Sequence, residues 1–232
     1  MSVQALYQQK RMSAADAIRV VKNGDTIVVP TAVAEPPALL TALSEARRDF
    51  RGVQISQILP VRKYAYFDPE TVENVRHTAY FFSGVTRAGG SEGWVDFIPA
   101  YFSEMPALIK RDQMPANVVF SMASPMDEYG YFSLSLGADY TMAAIEKSHA
   151  VVLEVNPNVP FANGNCHIHI SQVAALVESD EPILEVGLPK IGPVQQAIGM
   201  ERFAAIARMA AYFPHGKALA RSTMNLAWLP IM

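Results

Sequence analysis

Between residues 13 and 155 the chain alternates capped amphipathic stretches with short β-branched runs, and this alternation restricts the fold more than any other feature. "SAADAIRVVKNGD" carries a capping serine at Ser13, an acid three residues on at Asp16 and a stop at Gly24. "TIVVP" follows at once and reads as a buried strand. The second unit repeats the logic. "EPPALLTALSEARRDF" is an amphipathic helix with Pro at its start and Gly52 after its end, and "VQISQILP" is the next strand. "HTAYFF" reads as strand and leads into a glycine-rich turn, "SGVTRAGGSEG". "SEMPALIKRD" predicts a short helix capped by Ser103, and "NVVFSMAS" a strand. "DEYGYFSLS" predicts a hairpin on Tyr129-Gly130. "DYTMAAIEKSH" predicts a helix running into "AVVLEV", the clearest strand of the chain.

Apolar strands separated by helices imply an α/β fold, an open and mostly parallel sheet with helices on both faces. Such sheets bind ligands beyond the carboxyl ends of their strands. The loops after Pro30, Pro60, Phe82, Met122 and Val155 are therefore the ones to watch. Pro and Gly cluster in "EVGLPKIGP", so a first domain is expected over residues 1–187, with residues 188–232 beginning another.

Composition removes several function classes. Half of the 232 residues are apolar, 18% are charged and the net charge is −3, which is no match for the basic face that nucleic acid demands. A single cysteine forbids an internal disulfide and fits a reducing, cytoplasmic setting. The opening residues lack the apolar core of a signal peptide, and no apolar run approaches the roughly 18 residues a membrane span needs.

The local motifs are modest. In "NCHIHIS", His167 and His169 alternate on a strand and point the same way, so a shared ligand is conceivable on geometry. A zinc site needs three or four ligands, and no CxxC, HExxH or second pair supplies them, so no metal is expected. Histidines hydrogen-bonded at a strand edge are the alternative. "GVTRAGG" has neither dinucleotide nor P-loop spacing, although Arg87 and the amides near Gly89 and Gly90 offer an anion contact. Glu154 ends a buried strand and reads as hydrogen-bonded structure.

Longer stretches carry more. "SEGWVDFIPAYFSEMPALI", "ASPMDEYGYFSLSLGADYT", "EVNPNVPFANGNCHIHIS" and "PKIGPVQQAIG" resemble, in order, the N-terminal half of the acetyl-CoA hydrolase/transferase family. The branch is that of 4-hydroxybutyrate and butyrate CoA-transferases. The opening residues and "QILPVRK" are similar to the itaconate CoA-transferases of bacteria. The resemblance implies the NagB/RpiA/CoA-transferase-like fold and a ping-pong transfer of CoA between an acyl-CoA and a small carboxylate. The route would run through an acyl-glutamyl anhydride and a glutamyl-CoA thioester. Coenzyme A thioesters are substrates, and no permanently bound cofactor is implied.

The resemblance places the catalytic glutamate and the "GIGxxP" CoA segment in a second domain, and no glutamate here matches that motif. "FPHGKAL" looks like the start of the family's "PDGATL", whereas "ARSTMNLAWLPIM" departs from it. A shifted reading frame, a truncated gene or a split subunit would each produce this ending. The expectation is a chain inactive alone, oligomeric or aggregation-prone through an uncovered apolar tail. Carried over are crevice residues of the N-terminal side: Leu59, Pro60 and Val61; Ser83, Gly84, Thr86 and Arg87; Asn156, Pro160, Gly164, His167 and His169. An acyl-CoA hydrolase using the same glutamate is the alternative reading.

Overall fold

The computed structural model describes residues 2–185, 187 and 190–210. They fall into two compact units, Met1–Leu184 and the chain from Glu185 onward. Of the second unit one element is described, helix α7 (Pro193–Ala210). The expectation about the apolar tail falls on residues 211–232, outside the described residues.

The first unit is laid out as α1 (Val3–Lys10), α2 (Ala14–Ala17), β1 (Thr26–Val28), α3 (Pro37–Glu45), β2 (Val53–Gln57) and β3 (Val75–Ala79). Then come α4 (Arg87–Glu92), β4 (Val95–Phe97), α5 (Met105–Lys110), β5 (Val118–Ala123) and β6 (Tyr131–Ser133). It closes with α6 (Thr141–Lys147), β7 (Ala150–Val155), β8 (His167–His169) and β9 (Ala175–Glu178). Seven strands form one sheet in the order β4-β3-β2-β1-β5-β7-β9, every pairing parallel. From β1 the chain builds outward to β4, then returns beside β1 and builds outward to β9. The winding therefore reverses between β1 and β5.

The period of two along a strand explains the two cores. Ile27, Ile55, Phe120 and Val152 point to one face, where α2 and α3 cover them with Leu39, Leu40 and Leu43. Val28, Val119, Val151 and Leu153 point to the other, beneath Met105 and Ile109 of α5 and Ala143 and Ala144 of α6. β5 and β7 are buried along their whole length, as parallel strands covered on both faces must be.

Several local readings change. The helix expected at Ser13 does start there, the serine Oγ accepting the Asp16 amide at 3.1 Å, but it tightens to a 3₁₀ turn at Ile18–Val20. The expected strand "HTAYFF" is displaced to Val75–Ala79. The glycine-rich turn contains helix α4, and its glycines serve packing. A Cβ on Gly90 would lie 2.3 Å from the Phe82 ring, and one on Gly89 would lie 2.4 Å from the Val95 side chain. Ser103 does not cap α5; a 3₁₀ turn at Phe102–Glu104 precedes that helix, with Glu104 accepting the Tyr101 amide. Tyr129-Gly130 does form a turn, folded onto the Asp127 carboxylate. The strand leaving it, β6, pairs antiparallel with β8. The elements α1, β4 and β9 carry too few periodic residues to be read beforehand.

His77 on β3 lies in the core between Tyr66 and Phe67, 1% exposed, and neither ring nitrogen has a hydrogen-bond partner. Burial pushes its pKa from the ordinary 6.5 down to about 3. An unfolded chain takes up a proton below pH 6.5 that the folded chain refuses, so this residue removes stability as pH falls. His77→Phe keeps a ring and deletes the orphan nitrogens. Its stability advantage over the parent in urea unfolding should grow by about 1.4 kcal/mol between pH 8 and pH 5.5. An advantage that stays constant over that range would contradict a neutral, unsolvated imidazole.

Candidate functional site

The winding reverses between β1 and β5, and the carboxyl ends of strands at such a reversal are where sheets of this kind bind ligands. Buried polar side chains tie this end of the sheet together. Glu35, seven residues beyond β1, is 1% exposed. It accepts hydrogen bonds from Gln57 Nε2 at 3.0 Å, the Arg62 amide at 3.1 Å, Tyr64 Oη at 3.4 Å and the Val61 amide at 3.5 Å. Burial raises its pKa, and these donors oppose the rise. One carboxylate thus shapes the loop that follows β2. Tyr140, just ahead of α6, is a second tie. Its hydroxyl donates to the Val29 carbonyl at 2.5 Å and accepts the Ile58 amide at 3.3 Å, joining β1 to β2 at their tips.

Glu154 on β7 reaches across the reversal. Helix α3 begins with Pro37, which has no N–H, and its next two amides, from Ala38 and Leu39, donate to Glu154 Oε2 at 2.8 and 3.2 Å. A carboxylate there satisfies orphan donors at the positive end of the helix. Burial nevertheless dominates and pushes the Glu154 pKa up to about 7, while Oε1 has no partner. A third set of bonds ties down the chain after β9. The Arg62 guanidinium pairs with Glu181 and lies 3.9 Å from Glu35. Asn156 Nδ2 donates to the Glu181 carbonyl at 2.8 Å, and Asn158 Nδ2 to the Asp180 carbonyl at 3.2 Å.

The residues selected from the sequence fall into three places. Leu59, Pro60 and Val61 form the Glu35-held loop, and the Leu59 carbonyl accepts the Ala32 amide at 3.0 Å. Through Arg62 and Glu181 this loop is connected to Asn156, which is wholly buried. Ser83, Gly84, Thr86 and Arg87 form a separate turn. The Ser83 amide donates to Thr86 Oγ1 at 2.9 Å, Gly84 is open to solvent, and Arg87 opens α4 as an exposed side chain. Pro160 and Gly164 are exposed, Gly164 at φ +129°.

His167 and His169 lie on the β6–β8 ribbon, opposite Ser133 and Tyr131. Each ring has its own partner: His167 Nε2 meets the Ala162 carbonyl at 2.9 Å, and His169 Nδ1 meets Ser171 Oγ at 2.8 Å. Cys166 is buried with its Sγ 3.5 Å from Ser133 Oγ. Among the described residues no three His, Cys, Asp or Glu side chains are grouped to hold a metal.

Sequence reading passed over Glu35, Arg62 and Tyr140. For Glu35 a signal existed: an acid directly before the two prolines that open α3, placed after a strand whose neighbour's loop has amides to satisfy. Arg62 and Tyr140 gave none, because their partners are far along the chain.

Two outcomes follow from these carboxylates. Glu154 favours its protonated form in the folded chain, so its contribution weakens as pH rises from 4.5 to 7. Glu154→Gln keeps an oxygen for Ala38 and Leu39 and cannot ionise. Relative to the parent it should gain about 2.5 kcal/mol between pH 5 and pH 8, a gain that equilibrium unfolding would miss if the carboxyl were already ionised at pH 5. Glu35→Ala strands several buried donors and should cost about 3 kcal/mol. Amide exchange at Val61 and Arg62 should accelerate more than at β5; equal acceleration would remove Glu35 from its positioning role.

The domain description "Acetyl-CoA hydrolase/transferase N-terminal domain" matches residues 1–186. A succinyl-CoA:cyclohexane-1-carboxylate CoA transferase of Geobacter metallireducens is 43% identical over 196 residues, covering 83% of this chain and 44% of that protein. A 4-hydroxybutyrate coenzyme A transferase of Clostridium kluyveri is 34% identical over 199 residues, covering 86% of this chain and 46% of that protein. Among solved structures, RipA from Yersinia pestis superposes with a TM-score of 0.80 at 27% identity, over 89% of this chain and 50% of its own. The chain spans about half the length of the relatives it matches. With its all-parallel seven-stranded sheet and this match over most of its length, the chain belongs to the acetyl-CoA hydrolase/transferase family, as a carrier of its N-terminal domain.

Proposed function

We propose that this chain supplies the N-terminal wall of a CoA-transferase crevice, moving CoA between an acyl-CoA such as acetyl- or succinyl-CoA and a small carboxylate such as itaconate, 4-hydroxybutyrate or butyrate. The observation that carries this reading is the 43% identity to a protein named for CoA transfer between succinyl-CoA and a free carboxylic acid. Hydrolase chemistry is the weaker reading, because the curated relatives named above are all transferases.

In this reading a glutamate from a second domain attacks the thioester carbonyl, expelling CoA thiolate and leaving an acyl-glutamyl anhydride. The thiolate then attacks the glutamyl carbonyl, releasing the first carboxylate and forming a glutamyl-CoA thioester. The acceptor carboxylate and CoA complete the exchange in reverse order. No permanently bound cofactor takes part, and the cytoplasm, with its pool of CoA thioesters, is the setting. Leu59, Pro60 and Val61 bound the acyl side of the crevice, held in register by Glu35. Asn156 and Arg62 fix the segment that closes it, through Glu181. Arg87, on its exposed turn, stands ready for an anionic group of CoA.

The purified chain, given succinyl-CoA with itaconate, butyrate or cyclohexane-1-carboxylate, should show no turnover above background, since its nucleophile comes from elsewhere; turnover by this chain alone would overturn that assignment. A chimera joining residues 1–186 to the C-terminal half of the Geobacter relative should exchange CoA between two carboxylates. Release of free CoA at the same rate without an acceptor would mark a hydrolase instead.

A further inference from the structure

The sequence contains two Asn-Gly pairs, Asn23-Gly24 and Asn163-Gly164, and the fold treats them in opposite ways. Both asparagines are exposed, and both glycines have positive φ, +83° and +129°. At the first pair the reactive groups are engaged. The Gly24 amide donates to the Arg51 carbonyl at 3.0 Å, and Asn23 Oδ1 accepts the Arg51 amide at 2.9 Å. The Asp25 amide donates to the Lys22 carbonyl at 3.1 Å and closes the turn around them. At the second pair, among the described residues, neither the Asn163 side chain nor the Gly164 N–H has a hydrogen-bond partner. A Cβ on Gly164 would meet nothing within 4 Å, so the approach to this residue is open. Asn163, Gly164 and Asn165 form an exposed tip between two anchored residues. The Ala162 amide donates to Ser133 Oγ at 3.2 Å, and its carbonyl accepts that hydroxyl at 3.0 Å. Cys166 is buried, and its carbonyl accepts the Leu134 amide at 2.8 Å.

We infer that Asn163 is a site of spontaneous modification by water, converting through a cyclic imide to aspartate and isoaspartate, while the fold protects Asn23. The Gly164 amide nitrogen, its proton lost to hydroxide, attacks Asn163 Cγ. The N–Cγ bond forms, the Cγ–Nδ2 bond breaks, and Nδ2 takes a proton from water and leaves as ammonia. Water then opens the ring. Cleavage of the new N–Cγ bond gives aspartate; cleavage of the original peptide C–N bond gives isoaspartate, whose backbone is longer by one methylene. No oxidant or further reagent is needed. A following residue without a Cβ leaves the approach clear, and an amide bonded within the fold keeps its proton until the structure opens locally. Gly24 is such an amide and Gly164 is not. Either product adds one carboxylate to the loop that leads from β7 to β8. The anchors at Ala162 and Cys166 confine the change to the tip and leave the β6–β8 pairing intact.

The test incubates the whole folded chain at pH 8 and 37 °C, digests samples over time, and follows the peptides bearing residues 23 and 163 by mass spectrometry. Isoaspartate is assigned by enzymatic methylation of the same peptides. Conversion at Asn163 should run at least about tenfold faster than at Asn23, and in concentrated urea the two rates should come within about threefold of each other. Asn163→Gln, which would have to close a larger ring, should leave its peptide unmodified over the same period. Asn163→Asp should unfold at the same temperature as the parent. Equal conversion at the two sites in the folded chain, faster conversion at Asn23, or a preference for Asn163 that persists undiminished in urea would overturn the inference. A lowered unfolding temperature for Asn163→Asp would overturn the confinement of the change to the tip.

Discussion

Beside the β1–β5 ladder, the two halves of this sheet are tied by the carboxyl group of Glu154, which reaches over the winding reversal. α3 belongs to the half that grows from β1 toward β4, and Glu154 belongs to the half that grows from β5 toward β9. The helix opens with prolines, so its first free amides, at Ala38 and Leu39, need an acceptor, and β7 supplies one. The bond fixes where α3 starts, and therefore where the residues between β1 and α3 lie, Glu35 among them. Glu35 in turn gathers the amides of Val61 and Arg62 and fixes the loop after β2. A chain of two buried acids thus sets the geometry of the loops at the strand ends.

Burying two acids is an unusual way to build a floor, since desolvation raises the pKa of each. The compensation is directional: a carboxylate accepts several hydrogen bonds at once, which no apolar residue can do in a region crowded with amides. Four donors converge on Glu35 and two on Glu154. Apolar packing dominates elsewhere in the sheet, where the alternating side chains of β1, β5 and β7 divide cleanly between the two cores.

That division explains what could be read from the sequence. Parallel strands covered on both faces leave continuous runs such as "NVVFSMAS" and "AVVLEV", and helices packed on them leave amphipathic stretches; both signals are local. Tertiary contacts decided where the reading slipped. "TRAGGSEG" looks like a turn because of its glycines, yet they are there to let α4 approach Phe82 and Trp94. Tyr129-Gly130 signals a turn correctly, but the partner of β6 is β8, some thirty-five residues away, which no short-range pattern records. The ends of the strands were legible by position, and the family by its motifs. Its organising residues were not, because Glu35, Arg62 and Glu181 find one another across up to 146 residues. "NCHIHIS" has the look of a metal-binding cluster in sequence. It holds its own loop, through the Ala162 carbonyl and the Ser171 hydroxyl.

The segment after β9 has a mechanical meaning. Asn156 and Asn158 grip the backbone of residues 180 and 181, and Arg62 grips the Glu181 side chain, just before the first unit ends at Leu184. Arg62 is also bonded through its amide to Glu35. The backbone leaving the first unit and the loop after β2 are therefore joined through one arginine. A change at Arg62 reaches both the end of the first unit and the loop after β2.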